Sequence, residues 1–154
     1  MNSAVNVSGE ISLSDGSIRY CGASESSWEL PLSDLAVIGE YTNQSGPVID
    51  DWFLVFVSRI SEQYLLAPVY AAGVDSLRAS LGTMLNTSLA TSLANSADLK
   101  SIVLWPPQLA GSDLMQFPPV VPSGVVSRVT HLFVRRVNVA LAPSVLSYVR
   151  GEGT

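Results

Sequence analysis

The chain has 154 residues, 47% of them apolar and only 14% charged, and thirteen acidic against eight basic side chains leave a net charge of −5. That length fits one domain around one core. The acidic balance argues against nucleic acid or anionic membrane as a partner, and a single cysteine, Cys21, excludes a disulfide framework.

Residues 1–8 have neither the basic start nor the apolar run of a signal peptide, and no stretch approaches the roughly 18 apolar residues of a membrane span, so the cytoplasm is the expected compartment. Cys21 is expected to be a buried, unreactive thiol. The charge is unevenly distributed: residues 1–99 carry eleven acidic and three basic side chains, a balance of −8, and residues 100–154 carry two and five, a balance of +3. An acidic body, residues 9–105, and a mildly basic tail are the expected organisation within a single domain.

The first half divides into short β segments. Glu10–Leu13 and Ser17–Cys21 alternate polar and apolar residues about Asp15-Gly16, a strong hairpin signal. Trp28 to Leu32 keeps period two, and Pro31 suits an edge or a strand end. After a turn at Ser33-Asp34, Leu35 to Tyr41 reads as a strand closed by the loop from Thr42 to Pro47. Trp52 to Val57 is apolar on both faces and is the expected central strand and the foremost core segment. A turn over 58–62 then leads to a shorter strand, Gln63 to Ala67, that would pair with it.

The period next changes to about 3.6. Val74, Leu77, Leu81, Met84 and Leu85 share one helical face, Asp75 and Arg78 are placed for an i,i+3 pair, and a helix over about 73–85 is expected. Ser101 to Trp105 reads as a strand stopped by Pro106-Pro107. The stretch 106–124, with further prolines at 118, 119 and 122, is expected to be a stiff surface connector. Residues 125–150 are expected to form a helical tail, with Val125, Val129, Leu132, Phe133 and Val137 at helical spacing and a last short helix from Pro143 to Gly151.

The order of short strands, the aromatic strand Trp52-Phe53-Leu54-Val55-Phe56-Val57, the short strand through Pro68 and the amphipathic helix Val74–Leu81 resembles the pleckstrin-homology-like superfold over residues 9–86. The resemblance implies an α+β fold in which a strongly bent antiparallel sheet, or a partly open barrel, is capped by the helix and followed by the Pro-rich extension ending in helix. Many members of that family bind inositol phosphates through basic residues near the first hairpin loop. Here that loop, Ser14 to Ser17, has only Arg19 nearby, so this ligand is not expected.

No catalytic or cofactor signature stands out, and no cofactor or metal is expected. His131 is the only histidine, which with one cysteine excludes a His/Cys zinc cluster, and no serine lies in a Gly-x-Ser-x-Gly elbow. On a helix His131 would join Arg128 and Arg135, either as an anion-binding face or as an ordinary solvated one. Glu40, Asp50 and Asp51 flank a Gly-Pro loop. If the flanking strands pair, Glu40 comes near Asp50 or Asp51, a spacing suited to a hard cation or to acid–base work. Adjacent aspartates on a strand point to opposite faces, however, so these two can equally solubilise the mouth of an apolar strand.

The expected function is therefore a non-enzymatic interaction or scaffold module whose partner is another protein or a second copy of the chain, as in a homodimer. The alternative is a small ligand- or cation-binding protein, or a hydrolase-like enzyme, built on the Glu40–Asp51 carboxylates.

Overall fold

In the computed structural model, residues 8–22, 27–42, 52–91, 100–116 and 140–151 are described. The expected hairpin is formed by β1 (Glu10–Ser14) and β2 (Ser17–Cys21). Its two turn residues, Asp15 and Gly16, have φ of 51° and 73°, the left-handed pair whose twist matches that of the flanking strands. Alternation turns Ile11, Ile18 and Tyr20 into the core and Arg19 outward, where it meets Glu29 of β3 (Trp28–Pro31) at 3.2 Å. The same alternation puts Cys21 on the solvent side, so the thiol is exposed and not buried as expected.

A single 3-10 turn, Leu32–Asp34, leads into the second sheet, with β4 (Leu35–Thr42), β5 (Trp52–Ser58), β6 (Tyr64–Pro68) and β7 (Lys100–Trp105) in the order β6-β5-β4-β7. The pairings within both sheets are antiparallel. All eight residues of β4 are buried, more completely than β5, which was the expected core strand. The reason is that this sheet is covered on both faces. Ile38, Leu54 and Phe56 point toward the first sheet, whereas Val37, Tyr41, Val55, Val57 and Val103 belong to a second apolar cluster on the opposite face. A bulge between Leu35 and Val37 lets consecutive Ala36 and Val37 join that second cluster.

The two sheets meet at Trp28. Its ring lies 5.8 Å from that of Tyr20 and 5.5 Å from that of Phe56, and its Nε1–H donates to the Leu66 carbonyl at 2.9 Å. Val69 N–H donates to Trp52 O and Leu32 N–H to Gly16 O. The two-residue repeat of antiparallel bonding then turns Pro68 and Pro31 outward on the edges β6 and β3, where a missing N–H breaks no ladder.

Helix α1 (Val74–Leu85) follows β6 and lies against β1 through Val74, Leu77 and Leu81. Ile11 N–H donates to Ala72 O and Ala72 N–H to Gly9 O, tying the helix entry to β1. Gly73 makes this approach possible: its φ is 88°, and a Cβ there would lie 2.3 Å from Ile11 O. Asp75 and Arg78 pair at 3.5 Å. Met84 was expected on the buried face but is 59% exposed, because at 100° per residue it sits at the margin of the stripe centred on Val74, Leu77 and Leu81. Asn86 ends the helix with φ of 52°, and Thr87 N–H returns to Gly82 O, a Schellman-type closure.

Pro106 and Pro107 stop β7, and the chain then turns back along that strand through largely exposed residues before it is buried again at Leu114. Leu109 and Ala110 donate to Pro106 O, and Gly111 and Ser112 then exchange hydrogen bonds with Val103 on the outer edge of β7. This return places Leu114 and Met115 in the second apolar cluster, with exposures of 0% and 3%. β8 (Met115–Gln116) pairs with β9 (Ala140–Leu141), and α2 (Pro143–Val149), with proline in its first turn, buries Val145 in the same cluster. The short final helix expected from Pro143 is thus present. The expected helix over 125–137 and the rest of the connector lie outside the described residues. The architecture is α+β, with antiparallel sheets and two described helices.

Candidate functional site

Of the three carboxylates singled out in the sequence, Glu40 is the one placed among the described residues; Asp50 and Asp51 lie outside them, as do Arg128, His131 and Arg135. Glu40 sits opposite Leu54 of β5 and Ile102 of β7, in the middle of the second sheet. It is wholly buried, with 0% exposure. Its Oε2 accepts the indole Nε1–H of Trp52 at 2.9 Å. That length is ordinary for an N–H···O hydrogen bond. A carboxylate inside a sheet is stable only when such donors replace the water it has lost. Glu40 therefore acts from inside the fold, fixing the indole of Trp52 one register step away on the neighbouring strand.

Trp52 is half-buried and its ring meets Tyr70, which is 50% exposed, at 80° with centroids 6.3 Å apart. Tyr70 is held by the turn in which Ala71 N–H donates to Pro68 O, directly after Val69 N–H has donated to Trp52 O. The two rings form an aromatic corner at the end of the β5–β6 ladder.

A second feature lies on the outer side of α1. An open groove of about 740 Å³ runs between the helix and residues 86–90, lined among others by Asp75, Arg78, Gly82, Thr83, Asn86 and Thr87. Arg78 shapes one wall, since its Nε donates to Leu89 O at 2.9 Å while Leu89 itself is buried in the first core. Gly82 lets the chain after the helix pack close to it, since a Cβ there would stand 2.8 Å from Thr87 O. In the sequence Asp75 and Arg78 stand out only as an ion pair, and the remaining lining residues do not stand out as a site. Their signal was the small and polar run Ala79, Gly82, Thr83 and Asn86 at helical spacing, on the face away from Leu77 and Leu81.

At the opposite side of the molecule, Arg150 after α2 grips Glu62 in the β5–β6 turn through a two-pronged contact, Nε to Oε1 at 2.8 Å and Nη2 to Oε2 at 3.1 Å. The hydrogen bond from Arg150, with its positive charge, holds the Glu62 carboxyl below its ordinary range. Among the described residues, no three His, Cys, Asp or Glu side chains gather as a metal site, and no helix is long and apolar enough to cross a membrane.

Comparison of the chain with protein-family models, with curated proteins and with solved structures finds no match.

Proposed function

We propose that this chain is a non-enzymatic protein-interaction module of pleckstrin-homology-like type, which uses the groove beside α1 to hold a segment of another protein or of a second copy. The groove carries the proposal. It is open to solvent, and its lining offers hydroxyl, amide and guanidinium groups that suit a polypeptide backbone. The pleckstrin-homology-like reading is supported by a helix that follows the sixth strand and closes against the first. The carboxylate-based alternative has Glu40 as its one described member, and that side chain is sealed from solvent and bonded to Trp52.

Thr83 is exposed on the groove wall, so Thr83→Trp fills the groove while leaving the buried face of α1 intact. Light scattering over a concentration series, with affinity capture of defined candidate polypeptides, is expected to show self-association or a retained partner that Thr83→Trp weakens at least tenfold. A strict monomer that retains no polypeptide, or a complex indifferent to Thr83→Trp, overturns the proposal.

A further inference from the structure

Resting on the reading that the groove holds a polypeptide segment, we infer that this segment is acidic and that Arg78 receives the carboxylate of one of its aspartate or glutamate side chains. Arg78 lines the groove, and its side chain is 25% exposed. Among the N–H donors of its planar guanidinium, Nε–H is the one hydrogen-bonded within the described residues, to Leu89 O at 2.9 Å. Leu89 is itself anchored in the first core, so this bond fixes the direction of the fork. Nη1 comes no nearer to Asp75 Oδ1 than 3.5 Å, beyond the usual length of an N–H···O hydrogen bond. The Asp75 side chain is fully exposed, and an ion pair of that kind contributes little. Nη1 and Nη2 are thus left for an acceptor from outside the chain, and a carboxylate is the group whose two oxygens match neighbouring guanidinium N–H groups.

The rest of the lining fits the backbone that would carry such a side chain. Asn86, Thr87 and Ser88 line the same groove, with amide and hydroxyl groups able to bond peptide N–H and C=O on either side of the acidic residue. Thr87 is held in place by its N–H bond to Gly82 O at 2.9 Å. Arg78 is the one base and Asp75 the one acid among the described lining residues. A phosphate group is usually met by a cluster of arginines, so a single carboxylate fits this charge better. With a net charge of −5, the chain has no long-range attraction to an acidic partner, and selectivity lies in the close two-pronged contact. Asp75 then acts as an internal competitor, loosely occupying one side of the fork until the carboxylate of the ligand displaces it.

The test uses the full chain and two short peptides of alanine and serine, acetylated and amidated, that differ only in a central glutamate or glutamine. A third, with the central glutamine and a free C-terminal carboxylate, shows whether a chain end is bound instead. The Arg78 Nε–H resonance is assigned by its loss in Arg78→Lys and followed during titration. The glutamate peptide is expected to shift that resonance and to bind at least about fivefold more tightly than the glutamine peptide. Asp75→Asn, at a fully exposed position, is expected to tighten the glutamate peptide about two- to fivefold and to leave the glutamine peptide unchanged. Arg78→Lys, which keeps the charge and loses the fork, is expected to remove most of the preference for glutamate. Equal affinity for the glutamate and glutamine peptides, a stationary Arg78 resonance at millimolar peptide, no gain from Asp75→Asn, or tighter binding of the free C-terminus overturns the inference. Where equal affinity comes with weakening of both peptides by Thr83→Trp, the groove stands and only its acidic ligand is removed. A preference for glutamate that Thr83→Trp leaves untouched removes both.

Discussion

The pair of Glu40 and Trp52 can be tested by the free energy that couples the two side chains. Glu40→Met keeps the side-chain length in the sheet, removes the acceptor and leaves the Trp52 N–H without this partner. Two effects of opposite sign then act. Losing a buried hydrogen bond costs about 1–3 kcal/mol, while removing a polar carboxyl group from the interior relieves a desolvation penalty of similar size. The single substitution therefore has no decisive sign. The coupling energy does. In a cycle with Trp52→Phe, the desolvation and volume changes at position 40 appear on both sides and cancel, leaving the pair interaction, expected at about 1–3 kcal/mol from its 2.9 Å length and the full burial of Glu40 beside a half-buried Trp52. Glu40→Gln, which keeps an acceptor and the volume, should couple less strongly. Urea unfolding followed by far-ultraviolet circular dichroism gives all four corners of the cycle without relying on the tryptophan that is replaced. A coupling below about 0.5 kcal/mol, the scatter expected of independent sites, would refute the claim that Glu40 holds Trp52.

Two further outcomes test the frame around the site. Gly39→Ala should destabilise the chain by about 1–3 kcal/mol, because the new Cβ would lie 2.6 Å from Leu114 Cδ2 and 2.7 Å from Ile102 O. Adding Leu114→Ala should not restore stability, since the carbonyl contact is backbone; full recovery in urea unfolding would show that only the side chain matters. The Glu62–Arg150 contact gives a pH signature. Because the folded-state carboxyl is held below its ordinary value of 4.5, its contribution is present above that value and is lost as pH falls through the lowered one. Glu62→Gln is therefore expected to lower the melting temperature at neutral pH and to converge with the parent chain in acid, and a pH-independent difference would contradict the ion pair.

What could be read from the sequence was what local chemistry decides. Asp15-Gly16 announced its hairpin because the turn needs positive φ at both residues, and α1 announced itself because its apolar spacing and its end at Asn86 agree. The exposure of Cys21 was legible too, had the alternation of Ile18 and Tyr20 been carried one residue further. Burial of β4 was not. Gly39-Glu40-Tyr41-Thr42 looks like the approach to a loop, and it becomes an interior segment only when β7 pairs with it and Leu114 lies over Gly39. Both partners come from about sixty or more residues later in the chain, beyond the reach of any local pattern.

The same distance explains how the groove and the aromatic corner differ. The groove is built by one helix and the residues immediately after it, so its small and polar stripe is present in the sequence. The corner depends on a carboxylate whose role reverses when the sheet closes around it. On an open strand Glu40 would be a surface ligand within reach of Asp50 or Asp51. Inside a four-stranded sheet it is an acceptor for the Trp52 indole, two residues from its register partner Leu54, and what reaches solvent is the edge of that ring and Tyr70 beside it.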